Sequence, residues 1–245
     1  MREGPASAKP GGGEGARKAV VLLSGGLDSA TVLAGAVRDG FEAHAVTVRY
    51  GQRHAVEIER AAEIAGALGA ASHRVVRVDL NFPGSSALTD PSIPVPGPAP
   101  GRAIGDEVPA TYVPARNAVF LAVALSWAET IGARDLFLGV NAVDFSGYPD
   151  CRPAFLEAFE SLAAAATKAG AAGARFRVHA PLLRMSKKEI VLRARELGVP
   201  VGRTVSCYDP GPGGGPCRRC EACVLRARGF REAGLEDPGE REEAP

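Results

Sequence analysis

An apolar run, Ala19-Val20-Val21-Leu22-Leu23, breaks directly into Ser24-Gly25-Gly26-Leu27-Asp28-Ser29, and this junction constrains the fold more than any other stretch of the chain. Consecutive apolar residues rich in β-branched valine fit a strand buried on both faces of a parallel sheet, and paired glycines let the backbone turn sharply and approach a ligand closely. A helix is expected at once. The unpaired N–H groups of its first turn, with the hydroxyls of Ser24 and Ser29, make a cradle for phosphate oxygens at the positive end of the helix dipole. The run therefore reads as an ATP site. No lysine follows the glycines, so it is not the G-x-x-x-x-G-K-[ST] loop, and Gly12 to Lys18 fails that pattern because Arg17 stands where glycine is needed. An ordinary strand-to-helix turn capped by Asp28 or Ser29 is the competing reading.

Downstream, strand-like and helical runs alternate, which points to an α/β fold with a parallel sheet covered by helices. Strands are expected near His44 to Val48, Arg74 to Val78, Leu136 to Val140 and Phe176 to His179. Helices are expected near Asp28 to Arg38, Ala55 to Leu68, Arg116 to Ile131 and Pro153 to Gly170. In the third of these Val119, Phe120, Val123 and Trp127 face the core. Ser186 and Glu189 form an S-x-x-E capping box for a further helix through Leu197. Between Leu80 and Pro114, Pro and Gly crowd a long connection that is either a lid or a solvated insertion, the lid being favoured because it leaves the sheet between two ligand loops.

With 245 residues, one large core and a small appendage are expected. A net charge of +1 argues against a surface built mainly for nucleic acid. No apolar stretch reaches membrane-span length and Met1 to Gly15 lacks a signal-peptide hydrophobic region, so a cytoplasmic protein with no membrane contact is expected. The division read from the sequence is a disordered leader (1–17), an ATP-binding and catalytic domain (18–200), a zinc-binding segment (201–235) and an acidic tail (236–245).

Four cysteines, Cys207, Cys217, Cys220 and Cys223, form a C-x9-C-x2-C-x2-C pattern. Two-residue gaps let thiolates converge on one ion, and the glycine- and proline-rich run Gly211 to Pro216 lets Cys207 fold back to them. Four thiolates imply a closed, structural, tetrahedral zinc site. Disulfides conflict with a reducing compartment, an iron–sulfur cluster shares half of this spacing, and Arg218, Arg219, Arg226 and Arg228 beside the cysteines would suit a nucleic-acid ribbon. Cys151 stands apart, as an inert loop thiol.

Two polar segments flank core elements, Thr111 to Asn117 and Gly139 to Pro153. Ligands of open α/β sheets bind beyond the carboxyl ends of the strands, where such segments lie. Phe145 and Tyr148 suit stacking on a planar heterocycle, and Asp144 or Asp150 suits accepting hydrogen bonds from its ring N–H and amino groups, although capping and turn formation explain either aspartate equally well.

Taken together, Ser24 to Ser29, Tyr50-Gly-Gln-Arg-His54 with Glu57, Val113 to Asn117, Asn141 to Pro153, Ser186 to Ile190, and Ser206-Cys-Tyr208 with the cysteine cluster resemble the 7-cyano-7-deazaguanine synthases. That family of the PP-loop ATP pyrophosphatases serves queuosine-precursor biosynthesis, and the resemblance spans about Lys18 to Pro238. It implies a Rossmann-like PP-loop fold, ATP with Mg²⁺, structural zinc, a homodimer, and the conversion of 7-carboxy-7-deazaguanine and ammonia to the nitrile. It implies ATP contacts from Leu23 through Ala30, Thr31 and Val32, catalytic roles for Asp28, Arg116 and Lys187, and substrate contacts from His54, Asn117, Asp144, Phe145, Tyr148 and Asp150. Two departures are Arg218 with Arg219, where the family has glycine after the first clustered cysteine, and the proline-rich Pro94 to Arg102. The alternatives are a tRNA-thiolating PP-loop enzyme, which needs further catalytic cysteines, and a zinc-ribbon binding protein with a vestigial ATP loop.

Overall fold

The apolar run forms β1 (Lys18–Leu22), the middle strand of a parallel sheet, in a computed structural model that describes residues 16–53, 56–97, 108–142, 147–211 and 214–240. With β2 (Glu42–Arg49), β3 (Ser72–Arg77), β4 (Asp135–Phe137) and β5 (Arg177–His179), the strand order is β3-β2-β1-β4-β5. Every neighbouring pair is parallel. The direction of winding reverses between β1 and β4, and at such a switch point the crevice beyond the strand ends is open to ligands.

Side-chain alternation along β1 divides the core into two layers. Ala19, Val21 and Leu23 pack with Leu33 of α1 (Leu27–Arg38), Ile64 of α2 (Val56–Ala67) and residues further along the chain, Ile190 and Phe230. Val20 and Leu22 pack on the other face with Leu121 and Leu125 of α3 (Arg116–Ile131) and with Leu156 and Phe159 of α4 (Pro153–Ala166). Burial on both faces explains why β1 lacks polar alternation. On α3 the buried stripe is Leu121, Ala124, Leu125 and Ala128. The expected Val119, Phe120, Val123 and Trp127 are half-buried on its flank, where the Trp127 ring makes a T-shaped contact with His44 and its face meets Arg74.

Two further differences concern helices. The helix expected from Pro153 to Gly170 ends at Ala166, because Thr167 turns to extended backbone, donates its hydroxyl to the Ala163 carbonyl and receives the Gly170 N–H before the short α5 (Lys168–Ala171). A threonine hydroxyl competing for helix backbone groups produces this break. α6 (Lys187–Glu196) carries the expected capping box, both halves formed by Ser186 and Glu189. α7 (Glu221–Ala233), unanticipated in a segment read for its cysteines, packs along α6 and ends at Gly234.

The 80–114 connection is packed where it is described. Ser86 to Thr89 are buried, the Arg53 Nη2 group donates to the carbonyls of Asp90 and Ile93 at 2.6 and 2.5 Å, and the Ala87 N–H bonds the Ala110 carbonyl. Its proline-rich stretch beyond Gly97 lies outside the described residues. The start of the expected tail is also structural: Asp237 is buried and pairs with Arg226 of α7. Among the described residues no helix is long and apolar enough to cross a membrane.

Candidate active site

Ser24 to Ser29 leaves β1 at the switch point and lines a cavity of about 280 Å³. Gly25 has φ +85°, and a Cβ there would collide with the Glu57 carbonyl oxygen of α2. Gly139, after β4, brings the chain so close to α1 that its Cβ would lie 3.0 Å from the Ser29 nitrogen. Gly26 is the N-cap of α1 and makes no side-chain cap, so the first turn keeps its N–H groups for a ligand. Ser29 braces the turn: its hydroxyl receives the Ser24 N–H and donates to the Gly26 carbonyl, both at 3.1 Å. Asp28 does not cap the helix. Of the expected ATP contacts, Leu23, Ser24, Gly26, Leu27, Asp28 and Ser29 line the cavity. Gly25, Ala30, Thr31 and Val32 do not, because Gly25 turns against α2 and the other three lie in the buried body of α1. Gly25→Ala is expected to destabilise the fold by about 3 kcal/mol, from left-handed strain plus the clash, which chemical denaturation would measure.

Asp28 instead faces across the chain. The Lys187 ammonium reaches both of its carboxylate oxygens, at 2.8 and 2.7 Å, and the Asn141 side-chain amide donates to Oδ2 at 2.7 Å. The phosphate loop, the start of α6 and the segment after β4 thus meet at one carboxylate. Lys188, the neighbour with the same charge, is exposed.

Arg116 opens α3 after Ala115, which is held at φ 53°, a left-handed conformation that favours glycine. Its guanidinium lies 5.9 Å from the ring centres of Tyr50 and Phe120, and its buried Nε has no hydrogen-bond partner. Burial pulls its pKa down, and the phenols of Tyr50, Tyr148 and Tyr208 outweigh that, so the net shift is upward. Asn117 is buried, its backbone N–H donating to Asp150 Oδ2 at 2.9 Å and its side-chain amide reaching the Asp150 carbonyl and the Cys151 sulfur. Asp150, expected to meet substrate, is behind the cavity wall and caps the N-terminus of α3, whose dipole favours an anion there. Asn117 and Tyr148 do line the cavity, and the Tyr148 ring stacks on Tyr112 with its hydroxyl 3.1 Å from Thr111 Oγ1. His54, Asp144 and Phe145 lie outside the described residues.

Glu57, in the first turn of α2, also lines the cavity. Burial pushes its carboxyl up to about 7, against the opposing pull of Arg116. A carboxyl raised in the folded state binds its proton more tightly there than when unfolded, so this group's ionisation opposes folding. Its contribution to stability declines as pH rises from 4.5 to about 7.

The clustered cysteines converge as their spacing requires. Their four sulfurs lie within 4.8 Å of one another, close to the separation of about 3.8 Å that a tetrahedron with 2.3 Å metal–sulfur bonds demands. Cys207 Sγ accepts the backbone N–H groups of Cys217 and Asp209, Cys220 Sγ that of Tyr208, and Cys217 Sγ that of Cys220. Hydrogen bonds from Cys207 and Cys223 drive the Cys220 thiol pKa down, and those from Cys220 and Cys223 push Cys207 up. The donor set fits a metal that replaces shared protons. This lobe is tied to the phosphate loop, because the Val205 N–H bonds the Gly25 carbonyl at 3.0 Å. Arg226, which the sequence offered as a basic surface residue, is buried instead, bonded through Nε and Nη2 to Asp237 at 2.6 and 2.9 Å and through Nη1 to Thr204.

Residues 18–234 match the family described as Queuosine biosynthesis protein QueC. The chain belongs to this family. It is 61% identical to the 7-cyano-7-deazaguanine synthase of Anaeromyxobacter sp. (strain Fw109-5) over 222 residues, 91% of this chain and 95% of that protein. It is 59% identical to that of Anaeromyxobacter dehalogenans over 91% of this chain and 95% of the relative. The Thiobacillus denitrificans protein of the same name is 58% identical over 90% and 96%. Within the QueC frame, the Arg218 departure acquires a physical meaning: Arg218 sits at φ 60°, where glycine is favoured. Arg218→Gly is expected to stabilise the metal-bound protein by about 1 kcal/mol, read as a rise in thermal midpoint. Glu57 and Asn141 carry no individual role in the sequence reading, where Arg226 stands as a surface cation. Asn141 had a signal, as the first residue of a polar segment after β4, whereas the Arg116 charge felt by Glu57 and the Thr204 and Asp237 partners of Arg226 lie outside their own helices.

Proposed function

We propose that this protein is an ATP-dependent ligase that converts 7-carboxy-7-deazaguanine and ammonia to 7-cyano-7-deazaguanine in queuosine biosynthesis. The observation that carries this reading is the meeting of an uncapped phosphate loop with Asp28, Lys187 and Asn141 at the switch point, facing Arg116 and Tyr148 across one cavity. A tRNA-thiolating activity fits less well, since four of the five cysteines converge on one metal position and Cys151 is buried.

A carboxylate repels nucleophiles and has no good leaving group, so its oxygen attacks the α-phosphorus of ATP to give an acyl adenylate and pyrophosphate. The N–H groups of Gly26 to Ser29 and the two serine hydroxyls receive the departing pyrophosphate, and Lys187 supplies a cation beside it. In this reading Arg116 holds the carboxylate and then the charge that develops on the acyl oxygen, a role supported by its burial and its unpartnered Nε. Tyr148 supplies an aromatic wall for the heterocycle. Ammonia displaces AMP to form the amide, and a second activation of the amide oxygen leads to the nitrile. Asp28 would hold Mg²⁺, which binds through one or two carboxylates with substrate phosphates and neutralises their charge. Cys207, Cys217, Cys220 and Cys223 would hold Zn²⁺ with no open position, as in structural sites. Cytoplasmic location and a homodimer follow from the same family reading, the latter tested by sedimentation. The deciding experiment is mass spectrometry of a reaction with ATP, ammonium and the carboxylated deazaguanine, in which a product at the nitrile mass is expected and unchanged acid would overturn the reading.

A further inference from the structure

The ammonia step needs a proton acceptor that the residues assigned so far do not provide. As the C–N bond forms, nitrogen acquires positive charge and must shed a proton. The carboxylates at the cavity are few. Asp28 is occupied by Lys187 and Asn141. Glu221 follows Cys220 directly and belongs to the metal lobe. Asp150 lies behind the wall, capping α3. Glu57 remains: it lines the cavity, and its carboxylate makes no hydrogen bond or ion pair among the described residues.

We propose that Glu57 is the general base of the ammonia step, a role that rests on the ligase reading above. Its backbone buttresses Gly25, so the carboxylate is carried on the element that backs the Ser24–Ser29 turn, at the cavity that turn borders. In the step, the ammonia lone pair forms the bond to the acyl carbon, the C–O bond to the phosphate breaks with its electron pair going to AMP, and one N–H proton passes to the Glu57 carboxylate. Among the groups around it, Arg116 of α3 exerts the opposing charge, and Tyr50 beyond β2, Arg53 and Asp28 line the same cavity. No ionisable side chain of β3, or of the 201–203 turn that packs on α2, lines the cavity among the described residues. Burial places the carboxyl near pH 7, where a base both accepts and returns protons during turnover.

The test separates the two half-reactions in Glu57→Gln. Amide formation at fixed free ammonia is expected to fall about 10²–10³-fold, while ATP–pyrophosphate exchange with 7-carboxy-7-deazaguanine falls no more than about tenfold. Plotted against free ammonia, the wild-type rate should rise with pH through about 7 and level off, and the variant should be flat. Hydroxylamine, whose adduct sheds its proton to water more readily, should restore trapping of the acyl adenylate in the variant. Equal loss of both half-reactions, or a pH limb that survives in Glu57→Gln, would overturn the proposal. If Glu57→Gln does not fold, Glu57→Asp replaces it: the shortened carboxylate should keep the limb at a lower rate, and a flat profile would overturn it. Absence of pyrophosphate exchange in the wild-type protein would instead refute the ligase reading itself.

Discussion

Cys220→Ser is expected to abolish metal binding and to destabilise the protein by more than about 4 kcal/mol, a size reached only by a few mechanisms, metal loss among them. Cys220 is buried, its sulfur accepts the Tyr208 N–H, and it is the N-cap of α7. Serine is a poor ligand for a site built of thiolates, and apparent binding free energies of structural zinc reach about 10–16 kcal/mol, so one lost ligand removes a large share of that coupling to folding. The damage should not stay local. Val205 bonds the Gly25 carbonyl, and Arg226 of α7 clamps Thr204 and Asp237, so loss of the metal is expected to loosen the Ser24–Ser29 turn. Metal analysis and thermal unfolding with and without chelator check this: one zinc per wild-type chain, none in the variant, and weaker ATP binding. Unchanged metal content in Cys220→Ser would refute the four-thiolate site.

Asp28→Asn should cut pyrophosphate release by about 10³-fold, a loss comparable to removing a preorganised charge-stabilising group in other enzymes. The variant keeps the shape of the side chain and removes its charge. Lys187, whose side chain is 18% exposed, is left facing no carboxylate, and a half-buried pair costs less to break than a fully buried one, about 1–2 kcal/mol. Pairing it with Lys187→Gln separates stability from catalysis: the double variant should regain most of the lost stability and none of the activity, a coupling that a double-mutant cycle measures. Full pyrophosphate release by Asp28→Asn would remove Asp28 from the chemistry.

Local signals encoded the structure at several points. The Ser186 capping box, the apolar β1 and the cysteine spacing each encode their structure within a few residues, because hydrogen-bonding range, side-chain alternation and ligand reach are short-range constraints. Asp150 stays open in the sequence for the opposite reason. A carboxylate in a polar loop suits a ligand contact and a helix cap equally, and only the docking of its loop against α3 selects the cap. Arg226 looked like a surface cation because charge is visible in a sequence and burial against Asp237 is not.

The sequence by itself determined the glycine-rich strand-to-helix turn, the alternating α/β order and the convergence of four cysteines, all set by neighbours within one turn or one short loop. Tertiary structure decided which of two adjacent lysines reaches Asp28, which carboxylates face the cavity, and how the metal lobe braces the loop. Those choices depend on contacts such as Lys187 with Asp28 and Val205 with Gly25, between residues far apart in the chain, and the packing of helices on the sheet is what brings them within hydrogen-bond range.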